Sequence, residues 1–195
     1  MKYTKIPETT FQNIQLNAGV LLSAFNPESA TVANESIIGA TTGGVNFTAT
    51  PTFSDYGEDI DNCPKNMMEL KRQDSIEVKI AGTFITITAA VAKKLMAAAD
   101  IDTSDQTKIT PRNDLKAEDF ADIWWVGDYS DKNGDTNGGF VAIHVMNALN
   151  TGGFQLQSGD KSKGQFAFEF TGHYSIDAQS VVPYEVFIKA GTAEG

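Results

Sequence analysis

The most regular stretch of the sequence is Gln165-Phe166-Ala167-Phe168-Glu169-Phe170-Thr171. Its three phenylalanines stand two residues apart, and the positions between them are polar or small. Because successive side chains of a β-strand point to opposite faces of a sheet, this alternation predicts a strand with one buried face. The stretch therefore favours a mainly β fold.

The same two-residue period recurs on both sides of this stretch. It predicts strands over residues 45–53, 67–80, 140–149 and 183–189. Residues 120–126 are apolar on both faces, so we expect a buried strand there. Ala81-Gly82-Thr83 interrupts one run, as a turn or bulge would, before the pattern resumes over residues 84–88. About seven regularly spaced strands are typical of a β-sandwich or barrel.

One flanking α-helix is predicted, at about residues 89–100. The segment is rich in Ala, Leu, Met and Lys, and Val91 and Leu95 fall on one stripe. Thr88 is in position to be its N-cap. The chain thus divides into an N-terminal arm with at most one short strand (1–36), a β domain (37–190) and a short tail (191–195).

The charge balance bears on the class of partner. The 195 residues contain 25 Asp and Glu against 15 Lys and Arg, a formal net charge of −10. A protein that grips nucleic acid needs an excess of cations to neutralise phosphates, so we do not expect one here. An acidic chain can still let DNA pass nearby without holding it.

Few residues offer chemistry. Cys63 is the single cysteine and His144 and His173 are the only histidines, which excludes an internal disulfide and a closed Cys/His zinc site. We interpret both histidines as structural. The glycine-rich residues 39–44 lead into a strand, whereas a phosphate cradle needs a helix N-terminus there. We therefore expect no enzyme, no catalytic residue and no cofactor.

The best metal candidate is the segment from Asp131 to Gly138, where oxygen-bearing side chains alternate. That spacing suits calcium, but neither possible register combines the required glycine with a glutamate at the twelfth position. We interpret the segment as a polar hairpin tip. No run approaches the roughly 18 apolar residues of a membrane span and no signal peptide is recognisable, so we expect a cytoplasmic product.

Two segments resemble a known family. Ile37 to Phe47 contains Gly-Ala-Thr-Thr-Gly-Gly, similar to the segment that opens the first long strand of the tail tube proteins (major tail proteins) of long-tailed bacteriophages. Asn147-Ala148-Leu149-Asn150-Thr151-Gly152-Gly153, followed by a polar hairpin and the strand to Tyr174, resembles the family's C-terminal part. The similarity covers about residues 37–188. It departs at Asn62-Cys63-Pro64-Lys65, where many relatives carry an Asp-Gly turn.

This resemblance implies a structural subunit of the virion, assembled in the host bacterial cytoplasm. Six copies would form a ring, rings would stack into a hollow tube, and DNA would pass through the tube from capsid to host without sequence-specific binding. The expected partners are other copies of the chain, the tape-measure protein and other tail proteins, with no membrane. The helix would lie on the outer side.

The strand predicted from residue 45, the acidic loop over residues 55–61 and the strand predicted over residues 67–80 form a long hairpin, which supplies the candidate surfaces. Its polar face is the candidate lumen face, made of Asn46, Thr48, Thr50, Glu77 and Lys79. Lys79 is the one cation of this set, and we expect it to pair with a neighbouring acid. The acidic loop is the candidate for contacting the next ring, with Asp55, Tyr56, Glu58, Asp59 and Asp61.

Two alternatives remain open at the level of sequence. Tubes of contractile tails or secretion-type injection machines share the fold, so the chain fits those equally. A calcium-dependent carbohydrate-binding β-sandwich would explain the loops and the two tryptophans. That alternative requires Trp124 and Trp125 to be exposed, whereas Ile123 and Val126 beside them indicate a core.

Overall fold

The computed structural model describes residues 3, 5–10, 13–129 and 138–191. This part of the chain is mainly β, as predicted, and has one α-helix, α1 (Ala89–Leu95). Ten strands accompany the helix: β1 (Gln15–Leu22), β2 (Thr41–Asp55), β3 (Lys71–Phe84), β4 (Ala99–Ile101), β5 (Ile109–Pro111), β6 (Ala121–Tyr129), β7 (Gly139–Asn150), β8 (Gln155–Gln157), β9 (Gln165–Gly172) and β10 (Tyr184–Lys189).

Eight of the strands form one antiparallel sheet that curls into two layers. The first layer contains β1, β6, β7 and β10, and the second layer contains β2, β3, β9 and β8. Strand β7 joins them, because most of its length pairs with β6 and β10 while Leu149 and Asn150 pair with β9. The strands β4 and β5 form a separate small sheet.

The main core lies between the two layers, which gives the fold a sandwich-like character. The alternation in β9 is confirmed, since Phe166, Phe168 and Phe170 are all buried. These rings pack in one cluster with Leu21, Ile123 and Val145 of the first layer and with Val78 and Ile80 of β3. The first strand, β1, pairs with β6 and therefore lies within this sheet.

The interruption predicted at residues 81–83 does not occur. Strand β3 runs unbroken to Phe84, and the bulge lies opposite, in β2 between Thr42 and Val45. Gly43 and Gly44 have φ angles of 75° and 83° there, which glycine adopts without steric cost. Of the strand predicted over 84–88, only Phe84 lies in a strand, as the last residue of β3. The Ile85 amide still donates to the Ala40 carbonyl, and the chain then enters the N-cap of α1 at Thr88.

The helix is shorter than predicted. Thr88 is its N-cap, as expected, and its hydroxyl accepts from the Val91 amide at 3.2 Å. The prediction that it continues to residue 100 is wrong, because α1 ends at Leu95 and Ala97 has a left-handed φ of 61°. Pairing of β4 with β5 outweighs the helix propensity of the alanines. No helix in the described ranges is long and apolar enough to cross a membrane.

Candidate assembly surfaces

The five predicted lumen-face residues lie together on the outer face of the second layer. The register places Thr48 opposite Lys79 and Thr50 opposite Glu77, and Asn46 lies one step along on the same face. Four of the five side chains are exposed and Lys79 is partly buried. The residues that alternate with them along β3, Val78 and Ile80, are buried on the opposite face. The layer therefore separates a polar surface from the core.

Strand β9 adds residues that the sequence-based selection missed. Thr171 lies opposite Lys79, and Glu169 lies opposite Ala81, both on the polar face. The alternation of β9 already indicated that these side chains point away from the phenylalanines. What it could not indicate was that β9 pairs with β3, because strand pairing between segments 80 residues apart leaves no local signal.

Lys79 has the acidic neighbours that we expected. Its Nζ lies 3.0 Å from Glu77 Oε1 and 3.6 Å from Glu169 Oε1. The hydrogen bond to Glu77 and then the charge of Glu169 raise the pKa of Lys79, so it stays cationic at neutral pH. The three side chains together carry one net negative charge. Lys79 is therefore the only cation among the five candidate lumen-face residues, and it is paired; Arg72, which lies opposite Ser54 farther along the hairpin, is exposed and has no ion pair among the described residues.

Both ends of the second layer are strand edges. Strand β2 pairs only with β3, and β8 pairs only with β9, within the part of the chain that the structure describes. The free edge of β2 is 15 residues long. Such an edge presents a row of unpaired N–H and C=O groups, which are a template for pairing with another chain.

The distal part of the long hairpin projects beyond the layer. Because β9 pairs with β3 only from Val78 onward, residues 51–55 and 71–76 form a two-stranded ribbon of their own. Its tip, residues 56–70, exposes several large apolar side chains. These include Tyr56, Ile60 and Met68, of which Met68 is 82% exposed. Exposed apolar groups concentrated on a projecting segment indicate a binding surface.

The five predicted contact residues of the tip fall into two groups. Asp55 organises the tip itself: its carboxylate accepts the Asn66 amide at 2.7 Å and the Gly57 amide at 2.9 Å, and these two bonds lower its pKa. Glu58 forms an exposed ion pair with Lys65 at 3.6 Å. Tyr56, Asp59 and Asp61 are exposed, and neither aspartate has an ion-pair partner among the described residues.

His144 is held between an aromatic ring and two carboxylates. The His144 ring stacks on Trp124 at 4.0 Å, with Nε2 3.1 Å from Asp122 and Nδ1 3.3 Å from Glu185. The two carboxylates thus lie at different nitrogens of the imidazole ring. Asp122, Glu185 and His144 therefore cannot bind one metal ion together. In the described ranges, no group of three or more His, Cys, Asp or Glu residues is arranged to hold a metal. The calcium candidate, residues 131–138, lies outside those ranges except for Gly138.

Neither tryptophan is an exposed platform. Trp124 is buried against Leu22, Val126 and Phe140. Trp125 packs on the main core, and its indole N–H donates to the Ala18 carbonyl at 2.9 Å. The exposed stacking surface that the carbohydrate-binding alternative requires is therefore not formed by these two residues.

No protein-family model matches the chain, and no curated protein is significantly similar to it. An uncovered polar sheet face, free strand edges and an apolar tip are means of binding other protein chains.

Proposed function

We propose that this chain is a structural subunit of a phage tail tube, with the β-sandwich fold of that family. Six copies form a ring, rings stack into a hollow conduit, and the genome passes through it during ejection. The observation that carries the proposal is the second layer, whose outer face is polar and uncovered and whose two terminal strands have free edges.

Free edges at opposite ends of one layer support ring formation. The free edge of β2 in one copy can pair with the β8 side of the next copy, which extends the layer by strand addition. The two edges differ, so the contact is head-to-tail, and a head-to-tail contact generates a ring when its rotation closes. The polar faces of all copies then lie on the same side, which is the bore.

The chemistry of the polar face supports a passive conduit. Duplex DNA carries about one negative charge per 1.7 Å of its axis, and it binds where cations replace its counterions. The single cation of the candidate lumen face, Lys79, is neutralised by Glu77 and Glu169. The other residues of the candidate lumen face, Asn46, Thr48 and Thr50, are polar and uncharged. Such a surface repels phosphate weakly and does not hold DNA.

Negative-stain electron microscopy across a concentration series of the purified protein tests this proposal. We expect rings at low concentration and tubes of constant diameter at high concentration. Incubation with other tail components of the same phage, including the tape-measure protein, provides the second condition, because some subunits require an initiator. Particles that remain monomeric under both conditions contradict the proposal.

A further inference from the structure

Two adjoining depressions flank α1. One has a volume of about 200 Å³ and the other of about 460 Å³, and Ala90 and Ile101 line both. Ala89 and Ala97 complete a floor of small and apolar side chains. We call this surface the α1 groove. Lys93 and Lys94 lie at its rim.

In the described part of the chain these two lysines form no ion pair, unlike other partly buried cations, although the charge of Lys93 contributes, after the Lys116 amide and Arg112, to the lowered pKa of Asp119. Lys79 and Arg112 are also partly buried, and each has carboxylates within 4 Å. Within the described residues, no carboxylate forms an ion pair with Lys93 or Lys94. Burial, and then the charge of Lys93, lower the pKa of Lys94. An anion brought against this rim would therefore be stabilised.

The acids that line the groove are already occupied. Asp119 has a fully buried side chain and pairs with Arg112 at 2.7 Å. Glu118 pairs with Lys116 at 3.7 Å, and the Asp102 carboxylate accepts the Ser104 amide and hydroxyl. The groove therefore combines an apolar floor with a rim on which Lys93 and Lys94 are cations without an ion pair among the described residues.

The hairpin tip has the complementary pattern. Ile60 is half exposed and stands between Asp59 and Asp61, which are exposed and unpaired in the described part of the chain. The ribbon that carries them extends seven residues beyond Val78, roughly 23 Å at the rise of a β-strand. The tip is therefore free to reach a second copy.

We infer that tip residues 59–61 of one copy dock into the α1 groove of a second copy, with Ile60 on the alanine floor and the two aspartates against Lys93 and Lys94. This inference rests on the proposed function, in which the acidic loop contacts the next ring, and it names the surface that receives the loop. Tip and groove are different surfaces, so the contact is head-to-tail and propagates along a stack rather than closing in a dimer.

Charge reversal with rescue tests the pairing. Two double variants each reverse one side of the contact: Lys93→Glu with Lys94→Glu in the groove, and Asp59→Lys with Asp61→Lys in the tip. Each should raise the concentration at which half of the protein sediments as tubes by ~10-fold or more, because like charges then meet. The four substitutions combined should restore assembly close to the wild-type concentration. Lys161→Glu with Lys163→Glu is the matched control, since it makes the same charge change on an exposed turn, and it should assemble like wild type.

Zero-length carbodiimide cross-linking of wild-type assemblies tests the same contact without a variant that could misfold. In mixed ¹⁴N and ¹⁵N protein, we expect isopeptide links between residues 59 or 61 and residues 93 or 94 that join one chain of each label. Tubes whose tip cross-links elsewhere, or charge-reversal variants that are folded by circular dichroism and stack at the wild-type concentration, overturn this inference alone. Wild-type protein that never assembles overturns it together with the proposed function.

Discussion

Gly82 is a position where the absence of a side chain is required by a neighbour on the next strand. A β-carbon built there would lie 2.7 Å from Cζ of Phe168, inside the core. The sequence pattern around Gly82 predicted a break in the strand, yet β3 is continuous. Gly82 therefore leaves space for the side chain of Phe168 and does not form a turn.

Gly82→Ala should destabilise the fold by about 1–3 kcal/mol, because the Phe168 ring must leave its packed position in a close-packed core. Urea unfolding followed by fluorescence measures the change in the free energy of unfolding. Gly164→Ala is the matched control, since its added β-carbon would meet Leu156 at an ordinary 3.6 Å. Equal stability of the two variants would show that the ring relaxes freely.

Asp55 is the residue on which the order of the tip depends. Its folded pKa lies below the value of an unfolded aspartate, about 3.9, so its stabilising effect is present above that pH. The effect is lost as the pH falls through the lower, folded pKa. Asp55→Asn removes the charge and one of the two oxygen acceptors.

Hydrogen exchange of the Asn66 and Gly57 amides checks this prediction. At pH 7 we expect exchange roughly ten times faster in Asp55→Asn than in wild type, because both amides bond to this carboxylate. The ratio, corrected for the intrinsic rate, should fall toward one as the pH falls through the lowered, folded pKa of Asp55. Asp59→Asn should leave both amides protected, and an effect of similar size there would mean that general acidity, not these two bonds, orders the tip.

At the scale of elements, the sequence predicts a feature correctly where a single residue determines it, as at the N-cap of a helix. Thr88 was predicted to cap α1, and its hydroxyl bonds to the Val91 amide. The same segment shows where local signals fail. Residues 96–99 are good helix formers, but the backbone amide of Arg112 donates to the Ala98 carbonyl, and β4 then pairs with β5. The competing partner lies outside the window that predicts a helix.

The candidate lumen face shows the same division. Alternation in β2 and β3 predicted which five side chains share a face, and the register places them there. Glu169 could not be selected from its own strand, because its place beside Lys79 depends on the pairing of β9 with β3. A two-residue period predicts the face of a strand but not its neighbour in the sheet.

The cap of α1 can be tested directly. Thr88→Ala should lower the free energy of unfolding by about 1 kcal/mol, because the Val91 amide loses its acceptor at the start of a two-turn helix. Thr88→Ser keeps the hydroxyl and should retain most of the stability. Thermal unfolding of the three proteins distinguishes them. An equally large loss in the serine variant would assign the effect to the lost methyl group instead.

At the scale of the whole molecule, the two layers have different surroundings. The first layer is covered on its outer face by Phe25, which contacts Trp124 and Phe140. The second layer has no such cover over Thr48 and Thr50, which stay exposed. The second layer is thus covered by the core on its inner face and open on its outer face, so the outer face is available for contacts outside the subunit. In the proposed tube, this open face lines the bore.

Placing cations on that open face should convert a passive bore into one that holds DNA. Thr48→Arg with Thr50→Arg should leave tube diameter unchanged. Both residues lie on the edge strand β2, but their side chains are exposed and stand out of the plane of the sheet, so the backbone groups of the β2 edge stay free to pair. The two arginines change the formal charge of the group that contains Lys79, Glu77 and Glu169 from −1 to +1 in each subunit, so tubes should retain labelled duplex DNA at low salt and release it steeply as salt rises. In an infecting phage, the same change should slow genome ejection.

Thr48→Gln with Thr50→Gln is the control for this last prediction, because glutamine adds length without charge. Tubes of that variant should bind no more DNA than wild type, which separates a charge effect from narrowing of the bore. If the arginine tubes also fail to bind DNA and eject at the wild-type rate, then Thr48 and Thr50 do not face the bore. The polar face would in that case lie outside the tube, and the covered first layer would have to line it, which its apolar outer cluster of Trp124, Val126 and Phe140 makes physically unfavourable.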